Sequence, residues 1–246
     1  MRQALRKTAQ RHAPQLMAER ARQYEIGLRE RQGITALGDR MEPVVQAGPF
    51  QGLRYPAERL AEVDAPVAKF LGVYEQEVGY VFEEPRARFV DVGCADGYYA
   101  AGMALRGARV IGFDIARSAR ELCDTVAGMN AVEVEIGKRF APDDAGLVRD
   151  GLLLVDIEGG ERDLFTPSVV EHLGEARVLV EVHEDFRPGT SEYLTALFAA
   201  SHEVRRVDQQ PRATPAPLRE WPPEEVALAL TEHRPPLMHW LDCVPR

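Results

Sequence analysis

From residue 88 onward the chain alternates short apolar runs with amphipathic stretches. RFVDVG (88–93), RVIGFD (109–114), VEVEIG (132–137), GLLLVDIE (151–158) and RVLVEVHE (177–184) read as strands. In LLLV the apolar positions are consecutive, the pattern of a strand covered by helices on both faces. The stretches 97–106, 116–127, 160–173 and 190–200 read as the helices between them. Strand–helix alternation of this length predicts a doubly wound α/β sheet, mostly parallel. HEVRRVD (202–208) and MHWLDCV (238–244) flank PEEVALALTEHR and predict a closing pair with a late antiparallel strand.

The N-terminal part has a different rhythm. Residues 57–83 predict mostly helix around Val67, Phe70, Leu71, Tyr74 and Val78. Ala13, Leu16, Met17, Ala21, Tyr24 and Leu28 form a helical stripe, with Pro14 tolerable in the first turn and Gly33 a stop. The expected organisation is a helical arm over 1–45 and an α/β domain over 46–246. The stripe predicts packing of the arm on its own domain, a homodimer contact being the alternative.

Charge sharpens this division. Residues 1–40 hold nine Lys/Arg and four Asp/Glu, a balance of +5, so the remainder carries −14 to reach the total of −9. An acidic main domain argues against nucleic acid as a partner, because phosphate backbones need clustered cations. No apolar run approaches the roughly 20 residues of a membrane span, and the N-terminus lacks the apolar core of a secretory signal. Cys94, Cys123 and Cys243 lack metal-binding or disulfide-framework spacing. A cytoplasmic location is expected.

The candidate chemistry begins where the first predicted strand ends, in DVGCADGYYAAG. Glycines at a strand-to-helix turn let the backbone approach a ligand. A dinucleotide site wants a third glycine where Tyr98 stands, which disfavours an NAD-linked oxidoreductase. Asp114 ends the second strand 21 residues after Gly93, and a carboxylate there can accept hydrogen bonds from both hydroxyls of a ribose. The pattern Asp91-x-Gly93-x-Ala95-x-Gly97 resembles motif I of class I methyltransferases, with Ala95 in place of the usual middle glycine. VDIEGGERDLF (155–165), together with AGPFQGLRY, DGYYAAGMAL and VEVHE, is similar to segments of FkbM-like methyltransferases, from about Gly48 to the C-terminus.

The resemblance implies a Rossmann-like class I methyltransferase sheet and S-adenosylmethionine as cofactor. Asp91, Gly93, Ala95, Asp96, Gly97, Tyr98, Asp114 and Asp156 would be its binding residues. It implies O-methylation of a small-molecule acceptor such as a sugar, a natural product or a lipid precursor. A non-catalytic cofactor-binding scaffold is the rival from another class.

The ends of the fourth and fifth strands carry the remaining candidates. Alternation places Asp156 with Glu158 and Glu181 with His183, so three carboxylates and an imidazole should meet at one rim. Buried acids at this density are costly unless paired or liganded. His183 is the candidate base, with Glu181 holding its ring and Asp156 facing the cofactor ammonium or the acceptor. The same four residues, Asp156, Glu158, Glu181 and His183, offer oxygen and imidazole ligands for Mg²⁺ or Mn²⁺. Arg234 is expected at the surface, within reach of an anionic acceptor.

Overall fold

The computed structural model describes residues 29–246, apart from 233 and 235. The arm's stripe from Ala13 to Leu28 lies outside the described residues. Immediately after it, helical residues 29–38 (α1) bury Ile34 and Leu37. Leu37 joins a satellite core with Val67, Leu71, Leu218 and Ala229. Arg40 adds an ion pair to Glu225 at 2.6 Å and lies over the Trp221 ring. This end of the arm therefore packs on its own chain.

Seven strands form one sheet in the order β3-β2-β1-β4-β5-β7-β6. The strands are β1 (Arg88–Val92), β2 (Arg109–Phe113), β3 (Val134–Gly137), β4 (Leu152–Val155), β5 (Arg177–Val182), β6 (His202–Asp208) and β7 (His239–Pro245). The first five are parallel, and β7 alone runs against its neighbours, between β5 and β6. The doubly wound, mostly parallel sheet with a late antiparallel strand is the expected fold. Every residue of β4 and β5 is buried, because the sheet separates two large apolar clusters, one on each face.

Two helical expectations need correction. Residues 57–83 break into a 3₁₀ turn (Ala57–Glu62), α2 (Pro66–Leu71), a second 3₁₀ turn (Gln76–Val78) and α3 (Gly79–Glu83). Ala65, Gly72 and Glu75 take left-handed dihedrals between these pieces, which no continuous helix accommodates. After α4 (Tyr98–Leu105) and α5 (Arg117–Met129), residues 160–173 divide into α6 (Glu161–Leu164) and α7 (Pro167–Leu173). Thr166 caps α7 by accepting from the Val169 amide, and Pro167 starts its first turn. The last helices are α8 (Thr190–Phe198) and α9 (Pro223–Ala229).

The turn after β1 is the tightest part of the frame. Gly93 and Cys94 both donate their amides to the Phe113 carbonyl, at 2.8 and 3.0 Å, and Asp156 donates its own to Val92 at 2.9 Å. Gly93 has φ +98°, and a Cβ there would lie 1.7 Å from the Asp156 carbonyl oxygen. Ala95, two residues on, holds φ +43° with a side chain. Gly93→Ala is expected to destabilise by more than about 4 kcal/mol or to prevent folding. Ala95→Gly relieves a left-handed alanine against the glycine's own entropy cost, a net gain of about 0.5–1 kcal/mol. Denaturant titration of the two variants checks both.

Candidate functional site

The C-terminal ends of β1, β2, β3 and β4 open into a cleft of about 560 Å³. Gly93 forms part of its floor, Asp114 and Asp156 face it, and Ile115 and Phe140 supply apolar walls. Ile115 is 70% exposed, an apolar side chain that lines the cleft. Asp114 is fixed by the turn it serves: it accepts from the Ala95 amide at 3.1 Å and the Ala116 amide at 2.8 Å. Each oxygen keeps a lone pair for a further donor. A larger depression, about 730 Å³ between Gln209 and Leu230, is lined by no acid or histidine among the described residues.

Other expected cofactor residues stand behind the turn. Asp96 is buried and points inward, bonded to Lys69 Nζ at 2.5 Å, the Tyr98 amide at 3.1 Å and Tyr55 Oη at 3.4 Å. Tyr98 is buried too, edge-on to Phe50 and Tyr74. Gly97 turns at φ +82° against Cys123. Asp91 is buried in β1, with Oδ2 lacking a hydrogen-bond partner among the described residues. Burial, then the charges of Asp156, Asp114 and Asp96, raises its carboxyl well above the ordinary aspartate value.

The rim gathers the expected four residues by a different route. β4 ends at Val155 and not at Glu158, so strand alternation does not align Asp156 with Glu158. A turn does so, with Glu158 at φ +53° and Gly159 at φ +97°. His183 comes directly after β5, and its Nε2 lies 3.4 Å from Glu158 Oε2. The same nitrogen is 3.7 Å from both Asp156 Oδ1 and Glu181 Oε2. One donor atom each from Asp156, Glu158 and His183 falls within 4.8 Å of the others, a set that does not include Glu181. Phe186, 59% exposed, stacks on the His183 ring at 5.7 Å.

Glu161, and not Glu181, holds the imidazole. It is fully buried, and its Oε1 lies 2.8 Å from His183 Nδ1 while accepting the Gly159 amide at 2.9 Å. The sequence signal was its place three residues after Glu158 in DIEGGE. Burial pulls the His183 pKa down, but Glu161, Asp156 and Glu158 more than offset that and leave it raised. Asp156 is pushed up to about 6, chiefly by burial and then by Glu75 and Glu158, against the lowering from Glu181 and His183. Glu181 is raised well above a normal glutamate by burial, Asp156 and Glu75.

Arg234 departs from expectation: its side chain is 5% exposed and turned inward. Its guanidinium meets Glu75 at 2.7 Å, Glu77 at 2.6 Å and Glu232 at 3.1 Å. Arg212 joins Glu232 at 2.7 Å, and Tyr99 donates to Glu75. This network backs Glu181, whose Oε1 lies 4.0 Å from Arg234 Nε.

No protein-family model matches the chain, and no curated protein matches it. Solved structures do resemble it. The bifunctional kinase-methyltransferase WbdD is 17% identical with a TM-score of 0.46, over 69% of this chain and 37% of that one. Magnesium protoporphyrin IX methyltransferase (ChlM) from Synechocystis PCC 6803, with bound SAH, is 14% identical with a TM-score of 0.44, over 66% and 75%. TehB from Haemophilus influenzae is 9% identical with a TM-score of 0.47, over 74% and 66%. The chain thus spans little more than a third of WbdD. Among the described residues no helix is long and apolar enough to cross a membrane.

The raised Asp91 carboxyl gives a test of the site's electrostatics. A carboxyl raised in the fold contributes stability below its unfolded value, and that contribution is lost as pH rises through the folded value. Asp91→Asn keeps the shape and removes the charge. The melting temperature of the variant relative to wild type should therefore climb between pH 5 and pH 8. Thermal melts across that range check it.

Proposed function

We propose that the chain is an S-adenosylmethionine-dependent methyltransferase that acts on a hydroxyl of a small molecule. The observation that carries the reading is continuity: Asp156 and Glu158 line the cleft that Gly93 and Asp114 form, and both also belong to the rim around His183. A nucleoside whose ribose is bonded to Asp114 would lie with its base between Ile115 and Phe140. Its sulfonium end would run past Gly93 toward Asp156. The buried, inward-facing Tyr98 supports a cofactor without a pyrophosphate, because no third glycine opens the start of α4.

Methyl transfer demands alignment, exclusion of water and removal of one proton. The acceptor oxygen attacks the sulfonium methyl carbon, and an O–CH₃ bond forms as the C–S bond breaks. The electron pair returns to sulfur, leaving S-adenosylhomocysteine, and the hydroxyl proton passes to the rim. Asp156, Glu181 and His183 face that position, and the Asp156 carboxyl, pushed up to about 6, is a proton acceptor closer to neutrality than an ordinary aspartate. The excess of acids at the rim also favours the sulfonium and ammonium charges of the cofactor.

Calorimetry should detect S-adenosylhomocysteine binding and little NAD binding; tighter NAD binding would overturn the assignment. Asp114→Ala should weaken S-adenosylhomocysteine by about 1.5–3 kcal/mol, the range for hydrogen bonds to a charged group. His183→Ala should leave that affinity near wild type and lower turnover by roughly 10²-fold or more. Transfer of label from S-adenosylmethionine into small molecules of a cell extract supplies the turnover assay. Label transfer by the variant at the wild-type rate would remove His183 from the chemistry.

A further inference from the structure

The rim contains a buried imidazole whose outer nitrogen faces only carboxylates. His183 is 1% exposed, and Nδ1 is engaged by Glu161 at 2.8 Å. A carboxylate only accepts, so Nδ1 carries a proton toward Glu161, and Nε2 is left facing the other carboxylates, able to hold a second proton or, on losing it, to offer a lone pair. That nitrogen is aimed at carboxylate oxygens of Glu158 and Asp156, at 3.4 and 3.7 Å. Asp156 Oδ1 is itself buried and, among the described residues, has no hydrogen-bond partner. A cation that displaces the Nε2 proton would meet an imidazole lone pair and two carboxylates across this gap.

We propose that Asp156, Glu158 and His183 form a site for a divalent transition-metal ion. The inference rests on the methyl-transfer reading of the same rim and says what completes it. Three donors about 2.1 Å from one ion are separated by about 3 Å at right angles and about 4.2 Å across it. The 3.4 and 3.7 Å separations and the 4.8 Å bound on the set fit one ion after small side-chain adjustments. Glu158 is exposed and free to make them. Glu161 behind the ring supplies the outer carboxylate that fixes a metal-binding histidine's tautomer.

The donor set also selects the ion. Two carboxylates with one imidazole suit Mn²⁺, Fe²⁺ or Co²⁺ better than Mg²⁺, which prefers oxygen alone. Three protein ligands leave positions open toward solvent beside the exposed Phe186 ring. The acceptor class that fits is a molecule with two adjacent oxygens, able to chelate the ion, and a ring face to lie on Phe186. Bound oxygen is acidified by the ion. With His183 serving as a ligand, Glu181 is the group left to take the proton.

The test uses the full chain, stripped with EDTA, dialysed and titrated with Mn²⁺ by calorimetry and by electron paramagnetic resonance of the free ion. One Mn²⁺ per chain is expected, weakened at least 10-fold by His183→Ala and by Glu158→Gln, with tenfold excess Mg²⁺ failing to displace it. Glu158 is exposed, so its variant folds even where the histidine variant does not. Absence of Mn²⁺ binding, equal binding by Glu158→Gln, or displacement by equimolar Mg²⁺ would each overturn the site. S-adenosylhomocysteine titration of the same samples keeps the two proposals apart. Nucleoside binding without Mn²⁺ binding removes the metal site alone, and Mn²⁺ binding without nucleoside binding removes the methyl-transfer reading.

Discussion

The arrangement of cleft and rim depends on one absence, the missing side chain at Gly93. The backbone after β1 lies so close to the carbonyl of Asp156 that a single added carbon would overlap it. That contact joins the turn that floors the cleft to the turn that begins the rim. The amide of Asp156 is already bonded to Val92, so the two segments are held by a hydrogen bond and a steric limit together. Asp114 reinforces the joint from the other side by accepting the Ala95 amide. Displacing any of the three moves the floor and the rim in concert.

Around this joint the chain concentrates charge that water would otherwise stabilise. Asp96 is matched by Lys69 in a buried pair, and Glu75, Glu77 and Glu232 are matched by Arg212 and Arg234. Such pairs add little net stability, but removing one partner leaves an uncompensated buried charge. Their value lies in fixing the pieces between residues 57 and 83, which have little regular structure of their own. Asp91, Asp156 and Glu181 have no such full match, and burial followed by the neighbouring acids raises their carboxyls. The acids left unbalanced are those nearest the cleft.

Much of this architecture was legible in the sequence because it is periodic. Strands β1 to β5 were visible as apolar runs, and the turn was visible because glycines and a later acid have a fixed spacing. The rim residues were legible as types, but the reason for their convergence was not. Alternation along β4 was the wrong mechanism, since a left-handed Glu158 does the work and φ leaves no mark at a non-glycine residue. Glu161 was hidden because an acid in an amphipathic stretch reads as a solvated face until the fold buries it. Arg234 was misread for the same reason, its partners Glu75 and Glu77 lying more than 150 residues away. The break in residues 57–83 was obscured because Ala65 and Glu75 carry no turn signature.

The position of β7 bears on how the molecule is made. Residues 239–245 enter between β5 and β6, so β6 has no strand to pair with until about thirty further residues have been synthesised. Arg177 on β5 waits longer still for Asp242, its bidentate partner. Glu232 and Arg234 arrive in the same late segment. On a ribosome moving from the N-terminus, the cleft half of the sheet can assemble first, while the half that backs the rim stays open at an edge. An exposed edge strand is a template for unwanted pairing, and β6 meets that hazard with the charged Glu203, Arg205, Arg206 and Asp208. The polar lettering of that strand is a safeguard for the unfinished chain as much as a surface for the finished one.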